Sequence, residues 1–278
     1  MNIYSIETGF FKLDGGAMFG VVPKTLWSRY HEPDKDNLCT WAMRCMLVEE
    51  GNKLILIDTG MGDKQSQKFF SHYQPHGEDS LEGSLKKYGF HPDDITDVIL
   101  THLHFDHCGG AVERNKEGKL LPTFKNATYW SNQKHWEWAV NPNQREKASF
   151  LKENILPIEE SGQLKFIEAG KSPFDFMEFT LANGHTESQL IPEINYKGKT
   201  LAYCADLLPS PAHIPIPYVM GYDVRPLVTM DEKDEFLKKA LEKDYVLFYE
   251  HDPKIECSTL IQTEKGIKAG EKFPFSNF

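Results

Sequence analysis

The chain reads Thr101-His102-Leu103-His104-Phe105-Asp106-His107-Cys108-Gly109-Gly110, which places three histidines and one aspartate in six positions. The apolar run Val98-Ile99-Leu100 stands directly before it and predicts a strand. The stretch is then the loop that leaves the C-terminal end of that strand, where α/β layers commonly build their sites. Imidazole nitrogens and carboxylate oxygens are ligands for Zn²⁺, Mn²⁺, Fe²⁺ and Co²⁺. The alternative is a polar, histidine-rich surface loop.

The spacing within this loop predicts two metal positions. His102 and His104 are two residues apart in a bend, so both rings can turn to the same ion. Asp106 and His107 follow at once and can turn toward a second ion a few ångströms away. The ligands that complete both positions must come from elsewhere in the chain.

The composition is that of an ordinary globular enzyme, with 40% hydrophobic and 26% charged residues. A length of 278 residues allows one large domain or two small ones. The net charge of −10 argues against a nucleic-acid partner, because such a surface needs a basic field to neutralise phosphates. No nucleic-acid partner is therefore expected.

Several features predict a cytoplasmic protein. No apolar run approaches the ~20 residues of a membrane span, and the first residues lack the basic and apolar segments of a signal peptide. Five cysteines without a C-x-x-C motif fit a reducing compartment and give no disulfide framework.

The pattern along the chain is strand-rich in two places, with helices between and after. Residues 42–48 and 53–58 predict a hairpin, and strands return from Leu164 onward. Each half runs through strands first and then a helix, which predicts an α/β (α+β) fold, an αββα sandwich of two mixed sheets with helices on the outer faces.

Three local predictions concern the connecting segments. Asp14-Gly15-Gly16 reads as a turn. The aromatic-rich segment of about 131–160 predicts a central helical insertion, with one of its helices over residues 145–153. An amphipathic helix is predicted over residues 231–242, with Asp231 as its N-cap.

Four more polar residues stand at the ends of apolar strands, beside turn residues. They are Asp58, His185, Asp206 and His251. Taken singly, an aspartate there is more often a cap or turn residue, and a lone histidine usually has no function. Their joint occurrence around the 101–110 loop favours a site assembled from several strands.

In this order and context the chain resembles the metallo-β-lactamase superfamily. The motifs are Asp58 in Ile-Asp-Thr-Gly, the loop from His102 to His107, His185 in Gly-His-Thr, Asp206 in Ala-Asp-Leu and His251 in Glu-His-Asp. The resemblance implies a single metallo-β-lactamase-like hydrolase domain over residues 1–278. Residues 13–24 and 205–209 further resemble the quorum-quenching lactonases, a branch that opens N-acyl homoserine lactones.

Carried onto this chain, the resemblance implies a dinuclear metal site, with Zn²⁺ as the expected ion and Mn²⁺, Fe²⁺ or Co²⁺ as alternatives. One ion would be held by His102, His104 and His185, and the other by Asp106, His107 and His251. Asp206 would bridge the two ions. Asp58 would support the site by accepting an N–H from a ligand histidine.

The implied reaction is hydrolysis of a lactone or ester carrying an apolar tail. A hydroxide that bridges the two ions would attack the carbonyl, and Asp106 would assist proton transfer as the ring opens. Asp106 and Asp206 are thus the expected catalytic residues of an esterase-type hydrolase, expected as a monomer or homodimer.

The chain departs from the family pattern at two positions. After His185 it reads Thr186-Glu187-Ser188-Gln189, where many relatives have Thr-Pro-Gly-His. Three residues after Asp206, where some lactonases carry a tyrosine, it has Pro209. A hydroxyl from Tyr218 or Tyr222, or a proton from His213, would then take over that role. The alternative is that these three residues only line their loop.

Three other functions compete with the lactonase reading. The same site could serve a phosphotriesterase or arylesterase, or a glyoxalase II-like thioester hydrolase. The non-enzymatic alternative is a metal-stabilised binding or sensor protein, which the complete ligand set disfavours.

The dinuclear hypothesis predicts that His104→Ala removes metal binding and turnover together, because the ion loses one of its three imidazole ligands. Metal content by mass spectrometry and hydrolysis by the same preparation test this. Retained turnover in the variant would contradict the dinuclear mechanism.

Overall fold

Two mixed six-stranded sheets organise the computed structural model, which describes all 278 residues. The strands are β1 (Asn2–Asp14), β2 (Leu38–Glu50), β3 (Lys53–Ile57), β4 (Asp97–Ile99), β5 (Val112–Arg114), β6 (Leu120–Pro122), β7 (Thr128–Ser131), β8 (Leu164–Phe166), β9 (Met177–Ala182), β10 (Gln189–Tyr196), β11 (Lys199–Tyr203), β12 (Val246–Phe248), β13 (Cys257–Thr263) and β14 (Gly266–Phe273). One sheet has the order β1-β2-β3-β4-β7-β8 and the other β14-β13-β12-β11-β10-β9, while β5 and β6 pair separately.

Eight α-helices accompany the sheets. They are α1 (Gly15–Phe19), α2 (Lys24–Trp27), α3 (Gln67–Tyr73), α4 (Leu81–Lys87), α5 (Phe105–Cys108), α6 (Gln133–Val140), α7 (Lys152–Glu160) and α8 (Pro226–Glu242). None of them combines the length and the apolar composition needed to cross a bilayer. Mixed sheets with helices confirm the predicted α+β class.

The chain divides into two compact units. The first contains Met1–Gly9, Met43–His72 and His76–Pro173, and the second contains Phe10–Ala42, Tyr73–Pro75 and Phe174–Phe278. Helices α6 and α7 lie in the first unit, in the region of the predicted insertion. The single hydrolase domain stays a prediction.

In the first unit, two parallel strands end beside one another. β3 pairs in parallel with β4, with Ile55 opposite Asp97 and Ile57 opposite Ile99. Residues 54–57 are buried, as expected for an apolar strand covered on both faces. β3, the second strand of the hairpin, therefore delivers Asp58 to the start of the histidine-rich loop, and the Asp58 amide donates to the Ile99 carbonyl at 2.9 Å.

The second unit repeats this arrangement. β11 pairs in parallel with β12, with Leu201 opposite Val246. A short 3-10 helix, Ala205–Leu207, follows β11 and carries Asp206. His251 lies three residues after the end of β12. Both polar residues thus leave the same end of a parallel pair.

Three local predictions were wrong in their boundaries. Helix α8 begins at Pro226, five residues before the predicted start, because proline suits the first helical turn, where its missing N–H is not needed. Asp14 is the N-cap of α1 and accepts from the Ala17 amide, so the predicted turn is a helix start. Residues 145–150 are not helical, since the Asn143 side chain accepts from the Arg145 and Glu146 amides and forms a turn.

Tyr129 on β7 forms hydrogen bonds to the segment that follows the histidine-rich loop. Its hydroxyl donates to the Ala111 carbonyl at 3.0 Å and accepts from the Phe124 amide at 2.9 Å. The residue is completely buried. The Phe124 amide therefore depends on this hydroxyl, whereas the Ala111 carbonyl also accepts from the Thr123 amide at 3.0 Å.

Tyr129→Phe is expected to lower the free energy of unfolding by about 2 kcal/mol, because it leaves the buried Phe124 amide without its acceptor. Urea denaturation of metal-free protein measures the change. Tyr4→Phe is the control, since the Tyr4 hydroxyl bonds to Glu49 at a partly exposed position; its effect should stay within about 0.5 kcal/mol. Equal effects of the two variants would contradict this account of Tyr129.

Candidate metal centre

In the first unit, the histidine-rich loop gathers its rings around one point. His102 Nε2 lies 3.1 Å from His104 Nδ1. The ring centroids of His102 and His107 are 3.9 Å apart, and His107 Nε2 lies 3.8 Å from Asp106 Oδ2. All four side chains are buried. Such a convergence of nitrogen and carboxylate donors suits a divalent cation of the zinc type.

Close backbone contacts shape this loop. The Thr59 amide and hydroxyl both donate to the His107 carbonyl, at 2.8 and 2.9 Å. A Cβ atom at Gly109 would lie 2.0 Å from the Met61 carbonyl oxygen, and one at Gly110 would lie 2.2 Å from that of Thr59. Only glycine permits this approach, so the two glycines after the ligands are required by packing.

Asp58 fixes the proton positions on two of the rings. Its carboxylate accepts from the Thr101 amide at 2.8 Å and from the Thr101 hydroxyl at 2.7 Å, and it accepts from His107 Nδ1 at 3.1 Å. Because the Thr101 hydroxyl gives its proton to Asp58, it accepts from His102 Nδ1, 3.1 Å away. Nε2 is then the nitrogen of both rings that carries no proton and is able to bind a cation. Asp58 adopts a φ of 56°, in the left-handed region that aspartate enters more readily than most residues.

In the second unit, Asp206 lies between two histidines. Its Oδ2 is 3.1 Å from His185 Nε2 and its Oδ1 is 3.0 Å from His251 Nε2. Each carboxylate oxygen thus faces a different ring. On the far side, Asp223 accepts from His185 Nδ1 at 2.8 Å, and the Ala42 carbonyl accepts from His251 Nδ1 at 2.7 Å.

The electrostatics around His185 favour a cation. Burial is the largest single influence and lowers its pKa, but Asp206 and Asp223 together raise the pKa to about 10. Two carboxylates on one buried imidazole thus create a strongly negative environment, which a divalent cation would also neutralise.

The turn that carries His185 is held by helix α8. Glu232 accepts from the amides of Asn183 and Gly184, at 2.7 and 2.9 Å. A Cβ atom at Gly184 would lie 2.2 Å from Thr229 Oγ1. In the segment that departs from the family pattern, Glu187 pairs with Arg225 at 2.8 Å.

Seven predicted ligands belong to buried groups of side chains that could hold a metal ion. They are His102, His104, Asp106, His107, His185, Asp206 and His251. Histidine and aspartate clusters of this kind are metal-binding clusters for divalent cations.

The sequence profile of the Metallo-beta-lactamase superfamily matches residues 44–251. The chain belongs to this superfamily. Together with its metal-binding clusters, membership makes it a metal-dependent hydrolase. The matched region runs from β2 to His251 and includes every predicted ligand.

Several relatives of this metallo-β-lactamase superfamily member are known. An N-acyl homoserine lactonase of Bacillus thuringiensis is 26% identical over 242 residues, which cover 82% of this chain and 87% of that protein. A probable metal-dependent hydrolase from Staphylococcus aureus has a structure with a TM-score of 0.89 and 27% identity, covering 98% of this chain and 96% of its own. A dizinc quorum-quenching lactonase in complex with a product homoserine has a TM-score of 0.79 and 24% identity, covering 98% and 95%; this likeness is one of fold.

Sequence reasoning missed two residues that support the ligands. Asp223 lies in an irregular loop, and nothing in its surroundings distinguishes it from a turn residue. His135 lies on α6, where its Nε2 accepts from the Leu103 amide at 2.8 Å. The only signal for it was its place in an aromatic segment.

The three predicted proton or hydroxyl donors lie in different surroundings. Tyr218 is half-buried and Tyr222 is exposed. His213 is buried, its Nε2 donates to the Met18 carbonyl at 2.9 Å, and its Nδ1 accepts from the Ser210 hydroxyl at 2.8 Å. Pro209, at the position of the absent tyrosine, accepts from the His251 amide through its carbonyl at 3.2 Å.

Burial lowers the pKa of His213 to about 3, whereas an unfolded chain protonates histidine near pH 6.5. Stability contributed by the neutral ring is therefore complete above about pH 6.5 and is lost as pH falls toward about 3. His213→Phe removes this term. The free energy of unfolding of the wild type, taken relative to that of the variant, should therefore fall from pH 7 to pH 4, as measured by urea denaturation. Parallel curves over this range would contradict the buried neutral state.

Proposed function

We propose that this hydrolase opens N-acyl homoserine lactones or closely similar lactones, using two divalent ions, with Zn²⁺ as the natural pair. The lactonase of Bacillus thuringiensis supports the substrate class, since it aligns over most of both chains. The dizinc lactonase, whose fold this chain shares, supports the metal.

We propose that the seven predicted ligands form one dinuclear site. One ion would be held by His102, His104 and His185, and the other by Asp106, His107 and His251, with Asp206 shared. The observation that carries this proposal is the Asp206 carboxylate, whose two oxygens lie 3.1 and 3.0 Å from the Nε2 atoms of two different histidines. A carboxylate in this position suits two ions about 3.5–4 Å apart.

The donor set fits such a pair. Nδ1 of His107, His185 and His251 faces an oxygen acceptor within 3.1 Å, so the opposite nitrogen is the metal ligand. When bound, the ions would supply Lewis acidity and make water nucleophilic near neutral pH.

The chain's own residues would do the remaining work. Asp58 and Asp223 hold the N–H protons that orient the ligand rings. Asp106 has its carboxylate beside His107 and would pass a proton to the leaving alkoxide oxygen as the lactone opens. Tyr218 and Tyr222 stay candidates for a hydroxyl that polarises the carbonyl. His213 is assigned to bracing α1, because its N–H is engaged by the Met18 carbonyl.

A substrate panel tests the proposal. Zinc-loaded protein would be offered acyl homoserine lactones of short and long chain, a simple γ-lactone, a neutral phosphotriester and a glutathione thioester. The acyl homoserine lactones should exceed every other class in kcat/KM by at least about ten-fold, which corresponds to ~1.4 kcal/mol of transition-state stabilisation. An Asp206→Asn preparation controls for contaminating hydrolases and should be inactive. If another substrate class is turned over and the lactones are not, the lactonase assignment is contradicted. The assignment as a metal-dependent hydrolase would still hold.

A further inference from the structure

The segment between α6 and α7 places a buried carboxylate beside a ligand histidine. Glu146 is 3% exposed, and its Oε1 lies 3.6 Å from His104 Nε2. A charged side chain is seldom buried without a partner that justifies the loss of hydration. Its position therefore calls for a specific role.

Two neighbours fix the direction of this carboxylate. Its Oε2 accepts from Trp138 Nε1 at 2.8 Å and also from the Asn143 side-chain amide. The side-chain oxygen Oδ1 of Asn143 accepts in turn from the Glu146 backbone amide at 3.1 Å. With Oε2 held by Trp138 and Asn143, Oε1 lies on the side of His104.

Residues of α6 and of the segment that follows it contact the histidine-rich loop at three successive loop residues. His135 accepts from the Leu103 amide at 2.8 Å, the Phe150 ring lies 4.7 Å from the His104 ring, and the Ser149 carbonyl accepts from the Phe105 amide at 3.0 Å. Glu146 is thus positioned by the protein itself and does not depend on a bound ion.

His104 faces the cluster through Nδ1, whereas His102 faces it through Nε2. The proton of His104 therefore needs an acceptor on the Nε2 side of the ring. His104 Nδ1, 3.1 Å from His102 Nε2, is the atom that converges with its neighbour. The proton of a neutral His104 must then reside on Nε2, the atom that Glu146 faces. A carboxylate at 3.6 Å favours the proton on Nε2 by electrostatic attraction and would thereby make Nδ1 a better metal ligand.

We propose that Glu146 is a positioning residue that sets the tautomer of His104 and thereby the affinity of the ion that His104 binds. This inference rests on the proposed metal site. It gives the central helical segment a functional task, since Glu146, Trp138 and His135 all come from it.

Glu146→Gln tests the inference with little change of shape. Trp138 and Asn143 both donate, so the glutamine would turn its carbonyl oxygen toward them and its NH₂ group toward His104. The NH₂ group would favour a lone pair on Nε2 and a proton on Nδ1, which opposes coordination. We expect zinc to bind 10- to 100-fold more weakly in competition with a chromophoric chelator, the range found for such supporting residues.

Two further variants separate positioning from general destabilisation. Glu159→Gln, an exposed residue on α7, makes the same change of charge and should leave zinc affinity within two-fold of wild type. Trp138→Phe removes one bond to Glu146 and should weaken zinc binding in the same direction. Its effect should not add to that of Glu146→Gln, because both act through one carboxylate.

A second readout is the visible absorption of Co²⁺-loaded protein. Glu146→Gln should alter it, because the geometry at one ion changes, whereas Glu159→Gln should not. Unchanged zinc affinity and an unchanged cobalt spectrum in Glu146→Gln would overturn the inference. If the losses of zinc affinity in Glu146→Gln and Trp138→Phe added in the double variant, this would contradict the action of both residues through one carboxylate. Wild-type protein that binds no zinc would instead contradict the proposed metal site, and the inference with it.

Discussion

The position of one proton on each histidine of the two clusters is the constraint on which the proposed site depends. An imidazole coordinates through a nitrogen that carries no proton, so the other nitrogen must hold the proton against an acceptor. In this chain the acceptors are buried: Asp58 serves His107, Asp223 serves His185, and the Ala42 carbonyl serves His251. The ring orientations are thus built into the fold before any ion binds.

The fold meets this constraint by using the ends of parallel strands twice. In the first unit β3 delivers Asp58 and β4 delivers the histidine-rich loop; in the second unit β11 delivers Asp206 and β12 delivers His251. Parallel neighbours end at the same edge, so polar residues after each strand meet without a long connection. This arrangement restricts the backbone locally. Asp58 adopts a positive φ, and the glycines after the histidine-rich loop leave no room for a Cβ atom.

The residues of the two clusters were easier to recognise in the sequence than the residues that support them. Ligands such as His102 or Asp206 are recognisable because residue type, spacing and strand context coincide. Asp223 and Glu146 carry no such pattern, since they reach the site from turns whose conformation depends on tertiary contacts. The predicted helix boundaries were wrong for a related reason. The turn at Asn143 and the helix start at Pro226 depend on local backbone and side-chain features, which the spacing of apolar residues does not reveal. The exposed strand β14, which also lacks a clear apolar alternation, was not predicted.

Anomalous X-ray diffraction at the zinc edge tests the central claim most directly, because it locates ions without reference to activity. Crystals of zinc-loaded protein are predicted to show two peaks about 3.5–4 Å apart, one beside each oxygen of Asp206. A single peak, or two peaks remote from Asp206, would contradict the shared carboxylate and the dinuclear site built around it.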